Sequence, residues 1–316
     1  MTEAIPTRFA FADAILELGG EISNLVVLDA DVSKSINTLQ FAGRYPNRAF
    51  NFGIAEQNMM CSAAGMATLG LIPFACTYAV FASMRSLEQI RTTICYPRLN
   101  VKIAASHGGI TPGPDGATHQ GIEDMALMRA IPNMTVIMAA DAPSTRLAVR
   151  AAARYDGPVY LRLTRDAVPV LFDAHYPFEI GRAVQLRDGN AAAIIANGDM
   201  VCQALQAASA LESQGLSVRV LDMHTIKPLD EDAVLRAARD TGAIVTVEDH
   251  TIFGGLGSAV AETLVEKIPV PMQRIGIPDR FTESGPYPDL LEKYGMTARH
   301  IVDAVQSVIK RKKGLN

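Results

Sequence analysis

Side chains able to do chemistry gather in four stretches: Asp31, Ser33 and Ser35 in LDADVSKS, Glu56 in FNFGIAEQN, His107, Asp115 and His119 in SHGGITPGPDGATHQG, and Arg165 in YLRLTRD. Each stretch closes or follows an apolar strand-like run, and ligands of open α/β sheets bind outside the carboxyl ends of their strands. Glu56 stands between such a run and a helix of small side chains, EQNMMCSAAGMATLG. A carboxylate there either belongs to a ligand site or satisfies the amino end of its helix. Burial against Phe52 and Met59 favours its protonated form, whereas the helix terminus favours the ionised one. The loop Ser106–Ile131 is dense in glycine, which lets backbone approach a ligand closely. Its two histidines and aspartate either are solvated or converge on a site. A helix is expected to start near Thr118, with that hydroxyl as cap and Glu123 and Asp124 at the positive end.

The elements that must position these groups alternate. RFAFADAILELG, EQNMMCSAAGMATLG and SMRSLEQIRTTICY have helical period, and NLVVLDAD, IPFACTY and NVKIAAS read as strands. This alternation predicts an α/β fold, a parallel sheet covered on both faces. The Pro- and Gly-rich stretch after GPVYLRLTR reads as a linker over 169–189, dividing a first domain, 1–168, from a smaller α/β domain, 190–316. In the latter, AAAIIANG, VRVLDM and GAIVTVED are strands, and GGLGS marks a tight strand-to-helix turn.

Composition narrows the function. A chain of 316 residues has room for two cores, and a net charge of −4 argues against nucleic acid as a partner. The one basic run, KRKKG at Lys310–Gly314, is expected to solvate a last helical turn. Cys61, Cys76, Cys95 and Cys202 have no C-x-x-C spacing, so they read as reduced core residues rather than metal ligands or a disulfide frame. No apolar run reaches membrane-span length and the amino end shows no basic head before an apolar run, so the expectation is no membrane and a cytoplasmic location.

Taken together, TR, DADVSKS, GIAEQNM, TYAVF, SHGGITPGPDGATHQG, RAIPNM, LRLTR and, further on, VEDHTIFGGLGSAV resemble the carboxyl-terminal half of transketolases. In that family a pyrimidine-binding domain is followed by a small terminal domain. The likeness is greatest to the carboxyl-terminal subunit of split, two-chain transketolases. It implies thiamine diphosphate as cofactor and the transfer of a two-carbon ketol unit from a ketose to an aldose, as in the pentose phosphate branch of carbohydrate metabolism. Glu56 matches the glutamate bonded to N1′ of the cofactor's aminopyrimidine. Phe81 matches the aromatic stacked on that ring, with Tyr78 a turn before it, although a pair spaced by three also suits a core. Asp31 and Val32 are expected to line the cofactor. His119 matches a proton-shuttling histidine, Asp115 a group that holds a ketose hydroxyl, and Arg8, Ser35, His107 and Arg165 the grip on a terminal phosphate.

One departure from the family pattern is informative. Transketolases bind the diphosphate through Mg²⁺ with a Gly-Asp-Gly sequence and a later Asn, and neither occurs in this chain. The resemblance therefore implies an amino-terminal partner subunit that supplies the Mg²⁺ and diphosphate ligands, with two copies of each chain. The rival readings are the beta subunit of a 2-oxo acid dehydrogenase, which needs no phosphate grip, and a non-catalytic α/β binding subunit. A deoxyxylulose phosphate synthase is disfavoured because it carries its metal motif in the same chain.

Overall fold

This computed structural model describes residues 3–314. The first sheet has seven strands in the order Thr225–Lys227, Thr135–Ile137, Val159–Arg162, Lys102–Ser106, Ile72–Tyr78, Leu25–Asp29 and Ala49–Asn51. All neighbours are parallel except Thr225–Lys227, which runs antiparallel to Thr135–Ile137. Strands such as Leu25–Asp29 and Lys102–Ser106 are buried along their whole length, as parallel strands with helices on both faces must be. Phe11, Ile15 and Leu18 of the helix Thr7–Glu21 pack with Phe74 on one face. On the other, Met59, Met60 and Ala63 of the helix Glu56–Thr68 meet Ile90, Ile94 and Met125. The helix Ala142–Arg154 is started by a reciprocal cap between Asp141 and Ser144.

The second sheet has five strands, Met272–Ile277, Ile244–Thr251, Ala193–Ala196, Arg219–Asp222 and Val184–Arg187, the last antiparallel to its neighbour. Helices Met200–Glu212 and Ala298–Lys312 cover it, and the latter ends on Lys310, Arg311 and Lys312, as the basic run led us to expect. The two sheets interlock in sequence. Val184–Arg187 is a strand within the stretch 169–189, and Thr225–Lys227 leaves the second half to edge the first sheet.

Two local expectations are corrected, and one expected helix is present but irregular. The helix expected near Thr118 starts at Asp124, after Glu123. Gly121 first bridges to Gly108, and the Gln120 side chain is held by Gly113 O and Glu283 O at 3.3 and 3.1 Å, so the chain cannot coil until it has passed them. All four cysteines are free thiols, but only Cys76 and Cys95 are buried; Cys61 is exposed and Cys202 half-buried. The segment 81–96 is helical with two wide π turns, Phe81–Arg85 and Ile90–Cys95. Ser83 and Ser86 donate to the carbonyls of Ala79 and Ala82, a back-bonding that bends helices.

Candidate active site

Because the central strands of the first sheet are parallel, their carboxyl ends share one edge, and the side chains singled out from sequence meet there. Glu56 opens its helix and is buried, 1% exposed. Arg85 Nη1 donates to both carboxylate oxygens at 2.9 and 2.8 Å, and Thr77 Oγ1 lies at 3.5 Å from Oε1. The Arg85 guanidinium stands over the Phe81 ring, 4.4 Å from its centre. The wide turn Phe81–Arg85 brings both residues back over the amino end of the Glu56 helix.

Next to Glu56 stands an aromatic wall. Tyr78 stacks on His107 with ring centres 3.8 Å apart and on Phe81 at 5.7 Å, while His119 meets the Phe81 ring edge-on at 5.6 Å. His107 has a positive φ of 63°. Its Nδ1 lies 2.8 Å from Ser106 Oγ and its Nε2 3.4 Å from Ser35 Oγ. Burial, then the charges of Arg8, Arg165 and His119, push its pKa down to about 3, so the ring is neutral at neutral pH. His119 Nδ1 pairs with Thr118 Oγ1 at 2.9 Å.

A cationic corner adjoins this wall. Arg8 Nη1 donates to Ser35 O at 2.6 Å and to Ser35 Oγ at 3.2 Å. Burial and then the nearby Arg165 lower the Arg8 pKa below its ordinary value. The Nε of Arg8 is buried with no hydrogen-bond partner among the described residues. Arg165 lies 3.5 Å from the Asp115 carboxylate and donates to Pro112 O at 3.2 Å. Arg8, Ser35, His107 and Arg165 thus come together, with Asp115 at their rim.

Asp31 is exposed at φ 64°, and its carboxylate accepts from Asn51 Nδ2 at 3.4 Å. Val32 is half-buried, with its N–H on Asp29 Oδ1 at 3.0 Å. Two groups here were missed from sequence. Burial raises the Asp29 carboxyl to about 6, a shift reduced by backbone N–H donors, and its Oδ2 has no partner among the described residues. Its place at the last residue of a strand was the available signal. Arg85 was also missed; its signal was a lone cation four residues beyond an aromatic, opposite a carboxylate that burial obliges to find a partner.

The glycines of the loop correct another expectation. A side chain on Gly109, at φ 63°, would lie 2.0 Å from Asp249 Oδ2, and one on Gly116, at φ 76°, 2.4 Å from Ser284 Oγ. At these positions the close approach is to the second domain rather than to a ligand.

Two family models match the chain: the transketolase pyrimidine binding domain over residues 3–170 and the transketolase C-terminal domain over 181–301. The chain belongs to the transketolase family. Among curated relatives it is 43% identical to the 6-deoxy-6-sulfo-D-fructose transketolase subunit SqwH of Clostridium sp. (strain MSTE9), covering 96% of this chain and 95% of that one. It is 39% identical to an apulose-4-phosphate transketolase subunit of Phocaeicola vulgatus, over 97% and 98% of the two chains. Among solved structures it is similar to a split gene transketolase described as an inactive beta4 tetramer, with a TM-score of 0.92 and 52% identity over 98% and 99% of the chains. Transketolases depend on thiamine diphosphate, and the likeness is to the carboxyl-terminal subunit of the split members. Among the described residues no helix is long and apolar enough to cross a membrane.

The groups at this edge fit the organic part of that cofactor. A buried carboxylate, set beside aromatic faces, suits an aminopyrimidine that needs one acid–base partner and a stacking surface. For the metal the donor set is lacking, since among the described residues no three His, Cys, Asp or Glu side chains come together to hold an ion.

Proposed function

We propose that this chain is the pyrimidine-side subunit of a two-chain transketolase, which moves a two-carbon ketol unit from a ketose with an anionic end to an aldose. The observation that carries this reading is the pairing of buried Glu56 with the adjoining Tyr78–Phe81–His107–His119 wall and cationic corner. Thiamine diphosphate, when bound, supplies the carbon nucleophile and the electron sink. An amino-terminal partner subunit supplies the Mg²⁺ and diphosphate ligands in an assembly with two copies of each chain.

The roles of this chain's residues follow from their chemistry. Glu56 holds or gives a proton at the pyrimidine ring nitrogen, Tyr78 and Phe81 present the stacking surface, and Asp31 and Val32 border the cofactor. His119, set edge-on to Phe81, moves protons at the substrate hydroxyls, and Asp115 accepts from one of them. Arg8, Ser35, neutral His107 and Arg165 hold the anionic end. The unpartnered buried Nε of Arg8 supports that last role, because two mutually repelling guanidiniums and an unfilled donor are relieved together by an anion. Phosphate and sulfonate offer the same oxygens there. The 2-oxo acid dehydrogenase reading has no use for such a corner.

The test is reconstitution. The chain and its amino-terminal partner, mixed with thiamine diphosphate and Mg²⁺, are expected to transfer ketol units, while the chain alone should bind the cofactor negligibly. Glu56→Gln should assemble normally and lose roughly three or more powers of ten in turnover. Near-normal turnover in that variant would return Glu56 to a helix-terminus role.

A further inference from the structure

The loop that carries His107, Asp115 and His119 is fastened by the second domain as well as by its own. At its first shoulder both carboxylate oxygens of Asp249, from the strand Ile244–Thr251, receive the N–H of Ile110 at 3.1 and 3.0 Å. Asp249 is wholly buried, and Gly109 leaves it the only room available. Buried Arg162 ties the same point into the first domain, donating to Asp249 O at 2.8 Å, to Gly121 O at 2.7 Å and to the Asp124 carboxylate at 2.9 Å. At the far shoulder Thr282 donates to the Gln120 amide oxygen, and Gln120 Nε2 reaches Glu283 O at 3.1 Å. Between the two, Ser284 lies against Gly116, and Gly285 N approaches Gly113 O at 3.4 Å. Thr251 N closes the far end on Ile122 O at 2.8 Å.

We propose that the second domain is a splint for the substrate-binding loop, with Asp249 and the segment 282–285 as positioning residues that fix where His107, Asp115 and His119 point. Neither touches the anticipated substrate, so both act through the loop. A buried carboxylate is an expensive way to satisfy one amide unless the amide's position matters. The catalytic consequence rests on the transketolase reading above. The fastening does not, and the two can be tested separately.

Hydrogen exchange on the full chain reads the fastening directly. Asp249→Ala removes both acceptors from Ile110 N–H, and exchange in the peptide 107–121 should rise about ten- to a hundredfold. The helix Met200–Glu212, in the same domain, should keep its protection. Asp249→Asn keeps one carbonyl acceptor and should restore most of the difference. Thr282→Val, nearly isosteric, tests the far shoulder in case Asp249→Ala fails to fold, and should raise exchange at 118–121 several-fold. In the reconstituted enzyme the same variants should raise the ketose KM about tenfold or more, with cofactor affinity within about twofold. Unchanged exchange at 107–121 would overturn the proposal, as would a rise spread evenly over the second domain. Faster loop exchange in a chain whose wild type transfers no ketol unit would uphold the splint and overturn the function.

Discussion

Replacing Arg85 by methionine isolates the strongest interaction at the site. Glu56 is 1% exposed and has Arg85 and a distant Thr77 hydroxyl as its side-chain partners, whereas the Arg85 side chain is 43% exposed. Breaking a wholly buried ion pair costs about 3–5 kcal/mol. An exposed pair is worth about 0.2–1 kcal/mol. With one partner buried and the other half in water, the loss should fall between, at about 1.5–3 kcal/mol, the range of a hydrogen bond to a charged group. Methionine keeps the apolar contact with Phe81, so the deficit reports the charge. Urea unfolding of the isolated chain measures it as a shift in midpoint at constant slope. The same change on a Glu56→Gln background should cost less than about 0.5 kcal/mol, since a neutral amide does not need the guanidinium. Equal costs on the two backgrounds would refute the claim that Arg85 acts through its contact with the Glu56 carboxylate.

The remaining predictions concern the anion corner and acid stability. Arg165→Ala should raise KM for a phosphorylated or sulfonated ketose by roughly ten- to thirtyfold, moderated because Asp115 already engages the guanidinium, and should barely affect a ketose with no anionic end. An equal effect on both substrates, measured by steady-state kinetics, would make Arg165 structural. His107 titrates at about 3 in the folded chain against an ordinary 6.5, so the unfolded chain binds more protons between these values. Its contribution to stability is therefore complete above about pH 6.5 and lost as the pH falls towards 3, by about 3 kcal/mol at pH 4. His107→Asn, which tolerates the positive φ, should flatten the acid limb of a stability–pH curve. Asp29, raised to about 6, tilts the curve the opposite way, but equally in both proteins.

Local pattern and long-range partnership were unequally legible in the sequence. Strands such as Leu25–Asp29 announced themselves because both of their faces are buried, and the placement of His107 and Ser35 at one edge followed from parallel strands, whereas Arg8, in the first turn of the helix Thr7–Glu21, was named only through the family resemblance. What the sequence hid depended on contacts between distant segments. Thr118 has the chemistry of a helix cap, yet the helix is postponed to Asp124 by bonds from Gln120 to a segment more than 160 residues away. The loop glycines carried the right signal, close approach, with the wrong object, because nothing local distinguishes a ligand from Asp249. Arg85 stayed unseen because a π turn, rather than an ordinary helical one, brings it onto Glu56.

Thr225–Lys227, the outer strand of the first sheet, has a consequence for how such a chain can be divided or rebuilt. Severing the backbone between 169 and 189 would not release two finished modules, because the amino-terminal piece would leave the edge of Thr135–Ile137 open to pairing with other molecules. A nicked chain should stay associated and keep its shape, whereas the first piece made alone should be prone to aggregate. No single crossover keeps both sheets whole, because Thr225–Lys227 lies in sequence between strands of the second sheet, so chimeras that exchange terminal portions between relatives would have to match at whichever sheet the junction divides.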